Sequence, residues 1–186
     1  EEIAWVANLW DGRFLVGKEA SIEEFNRYAE NSRILHLSTH GKANSKFGDG
    51  DYSYLAFGVP NGEGTFSKLF AKEIYTYSLN ADLVVLSACE TGTGEVQVGD
   101  GISSLSRAFI FAGAKSVFAT LWQVSDAKTK DLMVYFYKNL QQGKSKDEAL
   151  RLAKLEFLKR NKGQGGFDHP FFWAGMIGIG DMGAVR

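Results

Sequence analysis

The sequence predicts an α/β fold in which helices cover both faces of a mainly parallel sheet. Three apolar runs, over 33–39, 83–86 and 116–121, have the length and composition of strands that are buried on both faces. Helix signals separate these runs, and strands that alternate with helices are typical of parallel sheets. The 186 residues suit one domain with a full hydrophobic core, so we expect a single domain over 1–186.

The first half of the chain carries the signals of a helix, a strand and a hairpin. Ser21-Ile22-Glu23-Glu24 is a capping box, in which a serine and a later glutamate satisfy the first backbone N–H groups of a helix. Glycines in the turn 60–64, between two apolar pieces, predict a hairpin. The elements expected here are a helix over 22–30, a strand over 33–39, a polar loop over 42–51, strands at 54–57 and 65–66, and a short helix over 70–77.

The second half alternates helices with strands. Apolar residues from Ile102 to Ala112 recur at helical spacing, and Gly113 is expected to end that helix. Ser125 can cap a further helix, and Ser145-Lys146-Asp147-Glu148 is a second capping box. The elements expected here are a loop over 90–101, a helix over 102–112, a strand over 116–121, a helix that Gly143 ends, a helix that starts after Ser145, a flexible loop over 163–166 and a strand over 173–179.

Composition and charge exclude several classes of function. The net charge is −1 with the two signs interspersed, so no nucleic acid or anionic membrane partner is expected. No apolar stretch approaches the roughly 20 residues of a membrane span, and no signal peptide is visible. A single cysteine cannot form an internal disulfide, which favours a cytoplasmic setting. Because the sequence starts with Glu1 and not Met, we expect a fragment of a longer chain.

A thiol and an imidazole follow two of the predicted buried strands. Cys89 comes after the strand 83–86, and His40 comes at the end of the strand 33–39. Ligands bind at the carboxyl ends of strands in open α/β sheets, and a cysteine with a histidine can form a nucleophile and its base. The backbone N–H groups of Gly41 and Cys89 are candidate oxyanion donors.

These two residues also have an ordinary structural interpretation. A free cysteine is commonly a buried thiol without chemistry, and without its flanking motifs Cys89 would be interpreted in that way. A histidine at a strand end can simply hydrogen-bond to the backbone. The pair alone therefore leaves both interpretations open.

Four motifs together resemble the CHAT domain, a caspase-like peptidase family that is often attached to tetratricopeptide repeats. The motifs stand in family order, and the resemblance extends from about Phe14 to Asp181; they are Leu37-Ser38-Thr39-His40-Gly41, Leu86-Ser87-Ala88-Cys89-Glu90-Thr91-Gly92, Ala119-Thr120-Leu121-Trp122-Gln123-Val124-Ser125-Asp126 and His169-Pro170-Phe171-Phe172-Trp173-Ala174. The resemblance implies a caspase-hemoglobinase fold, a three-layer sandwich, and peptide-bond hydrolysis by a Cys-His dyad. His40 precedes Cys89 by 49 residues, close to the separation in the generic caspase signature.

The same resemblance suggests a residue for substrate choice. The stretch from Leu121 to Asp126 is similar to one in separases, which implies that Asp126 lines the pocket for the residue before the scissile bond and attracts Arg or Lys. The alternative is that Asp126 only complements the dipole at the start of a helix. Metacaspase-like relatives carry an acidic residue two positions before the cysteine, whereas Ser87 stands there in this chain.

The other two histidines are expected to have structural roles. Alternation along a strand places His36 on the face of His40, but about 13 Å away, too far to share a metal ion. His36 is therefore interpreted as a core residue with satisfied hydrogen bonds. His169 matches a motif that looks structural, and it is a second candidate for the base. We expect no metal and no cofactor.

The sequence thus predicts a cysteine endopeptidase with a preference for a basic residue before the scissile bond. Its expected partners are a protein substrate and an upstream repeat or regulatory domain in the parent chain. Two other functions stay open. One is a catalytically idle caspase-like binding or scaffold module, and the other is a thiol-dependent amidase or acyl transferase.

Overall fold

The computed structural model describes residues 2–42, 52–60, 66–87, 100–122 and 126–185. The α-helices of these parts are α1 (Glu2–Leu9), α2 (Ile22–Tyr28), α3 (Ala71–Ile74), α4 (Asp100–Phe111), α5 (Asp126–Gln141) and α6 (Lys146–Asn161). The strands are β1 (Ile34–Leu37), β2 (Gly41–Lys42), β3 (Tyr54–Phe57), β4 (Ser67–Phe70), β5 (Leu83–Leu86), β6 (Ser116–Thr120) and β7 (Met176–Gly180).

The central sheet has the order β1-β5-β6-β7. The first three strands are parallel, which confirms the mainly parallel sheet, and β7 is antiparallel to β6. The last strand starts three residues later than predicted, because a 3-10 helix at Pro170–Phe172 and the turn after it precede β7. β1 and β5 pair in a register that places Leu37 opposite Leu86.

Side chains alternate between two cores on opposite faces of this sheet. Val84 and Leu86 contribute to one core, while Leu83 and Val85 contribute to the other. The first core includes residues of α2, α3 and α4, such as Phe25, Ile74 and Phe109. The second includes residues of α1, α5 and α6, such as Val6, Phe136 and Phe157. The predicted three-layer α/β architecture is confirmed.

A second, antiparallel sheet has the order β2-β3-β4. The predicted hairpin is present as β3 and β4, although β4 lies slightly later in the chain than the predicted 65–66. The expected helix over 70–77 is only one turn long. It begins at Ala71, where the Glu73 carboxylate accepts a hydrogen bond from the Phe70 N–H at 2.8 Å.

Ser21 caps its predicted helix, although its own N–H donates to the Glu19 carbonyl and not to Glu24, whereas Ser145 does not cap the next predicted helix. Ser21 Oγ accepts from the Glu24 N–H at 3.3 Å, and Gly113 adopts the expected left-handed conformation after α4, with φ of 110°. The second capping box is wrong, because Ser145 makes no side-chain bond to the helix backbone. Its hydroxyl donates to the Asp147 carboxylate at 2.6 Å.

Some predicted features lie outside the described residues; they are most of the loop 42–51, most of the turn 60–64, Cys89 with most of the loop 90–101, and the cap Ser125. Within the parts that are described, no helix has both the length and the apolar character that crossing a membrane requires.

Candidate active site

The carboxyl ends of β1 and β5 lie side by side, as the candidate dyad requires. Leu37 and Leu86 are direct partners in the ladder, and the Ser87 N–H donates to the Leu37 carbonyl at 3.2 Å. His40 is the third residue after Leu37. Cys89 is the third residue after Leu86 in the sequence, and its own structure lies outside the described residues.

His40 is exposed in the segment that joins β1 to β2. Its backbone carbonyl accepts from the Ala56 N–H at 2.7 Å, which ties this segment to β3. Among the described residues no side chain hydrogen-bonds to the His40 ring. The backbone is therefore held while the imidazole is left at the surface.

The Gly41 N–H points away from β3. Because Ala56 donates to the His40 carbonyl, His40 and Ala56 form a hydrogen-bonded pair of the antiparallel ladder. Such pairs alternate with non-bonded ones, and Gly41, opposite Leu55, is the next position. The N–H of Gly41 is thus directed to the edge of the small sheet at which no other described strand of that sheet pairs with β2.

A single depression collects residues from the carboxyl ends of three parallel strands. His40 and Gly41 follow β1, Ser87 follows β5, and Thr120 ends β6; all four line the depression. Carboxyl ends of parallel strands are the usual place for ligands in such folds. The cleft is therefore the candidate active site.

His36 is half-buried, and it lines this cleft as well as packing against the core residue Tyr137. Its Nδ1 lies 3.0 Å from the Tyr137 hydroxyl, and its Nε2 lies 3.1 Å from Ser87 Oγ. The expected core role with satisfied hydrogen bonds agrees with these contacts. β1 ends at Leu37, so the expectation that His36 and His40 share a face of the strand stays a prediction.

No local pattern in the sequence indicates Tyr137 as a partner of His36. The hydrogen bond joins residues that are 101 positions apart. The available signal was the position of Tyr137 four residues after Met133, on the apolar side of the predicted helix. A tyrosine among apolar core residues needs a partner for its hydroxyl.

The two downstream motifs pack against each other at the end of β6. Trp122 Nε1 donates to the Phe171 carbonyl, and the Leu121 N–H donates to the Gly175 carbonyl, both at 2.8 Å. A Cβ at Gly175 would lie 2.9 Å from the Trp122 ring, so this packing requires glycine. His169 Nδ1 accepts from the Phe171 N–H at 3.2 Å, which gives His169 a capping contact of its own.

Asp126 is the first residue of α5 and thus lies in the first turn of that helix, as the sequence predicts. The structure does not describe its side chain. No group of three His, Cys, Asp or Glu side chains in the described ranges could hold a metal ion.

Comparison with known proteins agrees with the motifs. The family described as "CHAT domain" matches residues 1–181. The chain is similar to Tetratricopeptide repeat protein 28 from Mus musculus, with 36% identity over 112 residues, and to the protein of the same name from Homo sapiens, with 35% identity over 112 residues. Each alignment covers 60% of this chain and 4% of the relative, so the chain corresponds to a small part of those proteins.

Proposed function

Because this chain belongs to the CHAT domain family, we propose that it is a cysteine endopeptidase in which His40 and Cys89 form the catalytic dyad. The observation that carries the proposal is the register of β1 and β5. His40 and Cys89 stand at equal distances along the chain from the paired residues Leu37 and Leu86. Neighbouring strands are about 4.8 Å apart, so side chains that leave them at the same level can meet.

Each group then has a defined step. The His40 imidazole removes the proton from Cys89 Sγ, and the thiolate attacks the scissile carbonyl carbon. The C–N bond breaks as His40 gives that proton to the leaving amine, which leaves a thioester on Cys89. A water molecule loses a proton to His40 and attacks the thioester. The C–S bond breaks, the new carboxyl end of the substrate leaves, and the proton returns to sulfur.

The Gly41 and Cys89 N–H groups stabilise the oxyanion in both attacks. Support for Gly41 comes from its position in β2, because the ladder directs its N–H away from β3. A donor fixed in this way needs no reorganisation when negative charge develops on the carbonyl oxygen. Gly41 is also next to His40, so donor and base are held by the same backbone contact with Ala56.

Asp126 selects a basic residue before the scissile bond. It starts the helix that follows β6, and β6 ends at Thr120, a residue that lines the cleft. A carboxylate there recognises a guanidinium by two charge-assisted hydrogen bonds. Ser87 supplies a neutral hydroxyl at the position where metacaspase-like relatives have an acid, which leaves Asp126 as the charged determinant.

The domain over 1–186 acts on a protein substrate in the cytoplasm, makes no direct contact with nucleic acid or membrane, and uses no cofactor. An upstream repeat domain in the parent chain presents the substrate or restrains the site. Support for the repeat comes from the two relatives, whose names specify tetratricopeptide repeats. Support for the location comes from the single cysteine.

The test is covalent labelling by a peptide acyloxymethyl ketone with arginine beside the electrophile. The longest native chain is used, and mass spectrometry locates the adduct. Wild type should be labelled at Cys89, whereas Cys89→Ala should not react and His40→Ala should react at least about 100-fold more slowly. His169→Ala is the matched control and should keep the wild-type rate.

Other outcomes separate the alternatives. Equal labelling of His40→Ala would reject the dyad, and loss of labelling in His169→Ala would move the base to that residue. An unreactive wild type would favour the scaffold module. Turnover of peptide amides with no preference at any side chain would favour the small-molecule amidase or acyl transferase.

A further inference from the structure

We propose that His36 and Tyr137 are positioning residues, which act through Ser87 to orient the end of β5 that leads to Cys89. The inference rests on the proposed function, because it assigns these groups to the alignment of the Cys89 nucleophile. None of the three side chains is given a chemical step. Their role is to hold one hydroxyl and the backbone beside it in a single arrangement.

The three side chains form a continuous hydrogen-bonded chain across three elements. Tyr137 comes from α5, His36 from β1, and Ser87 follows β5. The two links are 3.0 Å from the Tyr137 hydroxyl to Nδ1 and 3.1 Å from Nε2 to Ser87 Oγ. Both are ordinary hydrogen-bond lengths. The chain therefore transmits position from a core helix to the sheet edge.

The Tyr137 end of this hydrogen-bonded series is fixed by packing in the core. Tyr137 is fully buried and packs edge-on against Phe136, and its ring stacks on the His36 ring with centroids 5.5 Å apart. Leu35 and Leu37 pack into the core that contains Phe25 and Phe109. Because side chains alternate along β1, His36 faces the opposite core, the one that Ile34 contacts. A close-packed core limits each ring to one orientation. The imidazole is thus held from both its face and its edge.

The Ser87 end of the series lies in the cleft. Ser87 is half-buried and lines the same depression as His40. Its backbone N–H is bonded to Leu37, and its side chain is bonded to His36, so two bonds attach Ser87 to β1. Cys89 is two residues further along. Any freedom lost at Ser87 is lost immediately before the segment that carries the nucleophile.

The two links are coupled through the imidazole ring. A neutral imidazole has one N–H donor and one acceptor nitrogen, so one of the two hydroxyls donates to the ring and the other accepts from it. Removing the Tyr137 hydroxyl therefore removes one of the two partners that fix the tautomer of His36.

Stability alone does not require such a chain. One hydrogen bond adds a net ~1 kcal/mol, and apolar groups of the same shape can replace a buried polar pair at little cost. A tyrosine, a histidine and a serine in line therefore contribute mainly orientation. Small errors in the placement of reacting groups reduce rates steeply, which makes orientation valuable next to a nucleophile.

The experiment compares two reagents on the same cysteine in the longest native chain. Iodoacetamide requires only an accessible thiolate, whereas the peptide acyloxymethyl ketone also requires alignment in the cleft. Rates at the Cys89 peptide are measured by mass spectrometry for Tyr137→Phe, Ser87→Ala and the double variant. Tyr135→Phe is the matched control, since it removes a hydroxyl from the same helix without touching His36.

We expect peptide labelling to fall about tenfold in each single variant, with iodoacetamide rates within about twofold of wild type. The labelling rate of the double variant should fall no further than that of the slower single variant, because either substitution breaks the same series of hydrogen bonds. Tyr135→Phe should match wild type in both reactions.

Wild-type peptide labelling in both single variants would overturn the inference, and so would additive losses or equal losses with both reagents. If His40→Ala abolishes labelling while Tyr137→Phe preserves it, the dyad stands and the positioning role fails. If wild-type protein is not labelled by the peptide at all, the proposed function fails and the positioning role fails with it.

Discussion

The two ends of the parallel strands hold polar groups in opposite ways. At the amino ends, charged side chains are paired: Asp82, which precedes β5, contacts Arg33 before β1 and Lys115 before β6. At the carboxyl ends, the described residues that line the cleft include the hydroxyls of Ser87 and Thr120 and the half-buried His36, with His40 exposed beside them. The charged groups at the amino ends pair with one another, whereas the cleft holds the imidazole that we propose as the general base.

At the amino ends of the parallel strands, a buried carboxylate makes direct contacts with two cations. The Asp82 side chain is only 2% exposed, and its oxygens accept from Arg33 Nε at 3.1 Å and from Lys115 Nζ at 2.7 Å. The Ser116 hydroxyl donates to the Asp82 carbonyl at 2.8 Å. One residue thereby joins the starts of three adjacent strands. Changes here should affect stability, whereas changes at the other end should affect chemistry.

The largest effect is expected from Gly41→Pro, which removes the N–H assigned to the oxyanion. Because that N–H points away from β3, replacing it with the proline ring removes no hydrogen bond of the β2–β3 ladder. Labelling by the peptide electrophile should fall about 10²–10³-fold, with the unfolding midpoint nearly unchanged. Gly41→Ala keeps the N–H and measures the effect of added volume. A proline variant as fast as the alanine variant would exclude Gly41 as a donor.

At the amino end, Asp82→Asn should lower the free energy of unfolding by about 2–3 kcal/mol, because two cations lose their buried partner. Both cations are nearly half exposed and can be hydrated, so the loss stays below that of a fully buried pair. Urea denaturation measures it, and the labelling rate of folded protein should not change. Glu148→Gln, in the exposed pair with Arg151, should leave the free energy of unfolding almost unchanged. Equal losses in both variants would contradict the comparison.

At the carboxyl end, Asp126→Asn tests which residue selects the substrate side chain. The ratio of kcat/KM for arginine over leucine before the scissile bond should fall about tenfold, because the carboxylate that binds the guanidinium is lost. Peptide substrates that differ only at this residue measure the ratio. Glu156→Gln, which removes a carboxylate from the exposed pair with Arg160 in α6, is the control and should keep it. An unchanged ratio in Asp126→Asn would leave that residue with a helix-capping role alone.

The smallest effect concerns Lys146, whose Nζ donates to the Asp181 carbonyl at 2.9 Å. Burial lowers the pKa of the Lys146 ammonium below its usual value of 10.5. Between the folded and the unfolded pKa, the unfolded chain binds more protons, so stability rises with pH across that alkaline window. Wild type should therefore gain stability over Lys146→Met as the pH is raised toward 10.5 in urea denaturation series. A constant difference between the two proteins would contradict this linkage.

Local patterns predicted most of the fold. The runs that became β5 and β6 are rich in apolar residues because both of their faces are buried, and Ser21 and Gly113 signalled helix ends through their own backbone requirements. β2 gave no signal, since two residues, Gly41 and Lys42, carry no periodicity. The sequence also carried no signal that β7 is antiparallel to β6, because the alternation of apolar residues indicates which side chains are buried and not the direction of the strand.

The sequence by itself determined the layered α/β fold, the family and the two strand ends from which the candidate dyad leaves, because burial and backbone preference are written in neighbouring residues. Only the tertiary structure decided which strands are neighbours, that the Gly41 N–H points away from its ladder, and that His36 bridges Tyr137 and Ser87. Those features depend on register and on side chains that are 51 and 101 residues apart, and such contacts exist only after the chain has folded.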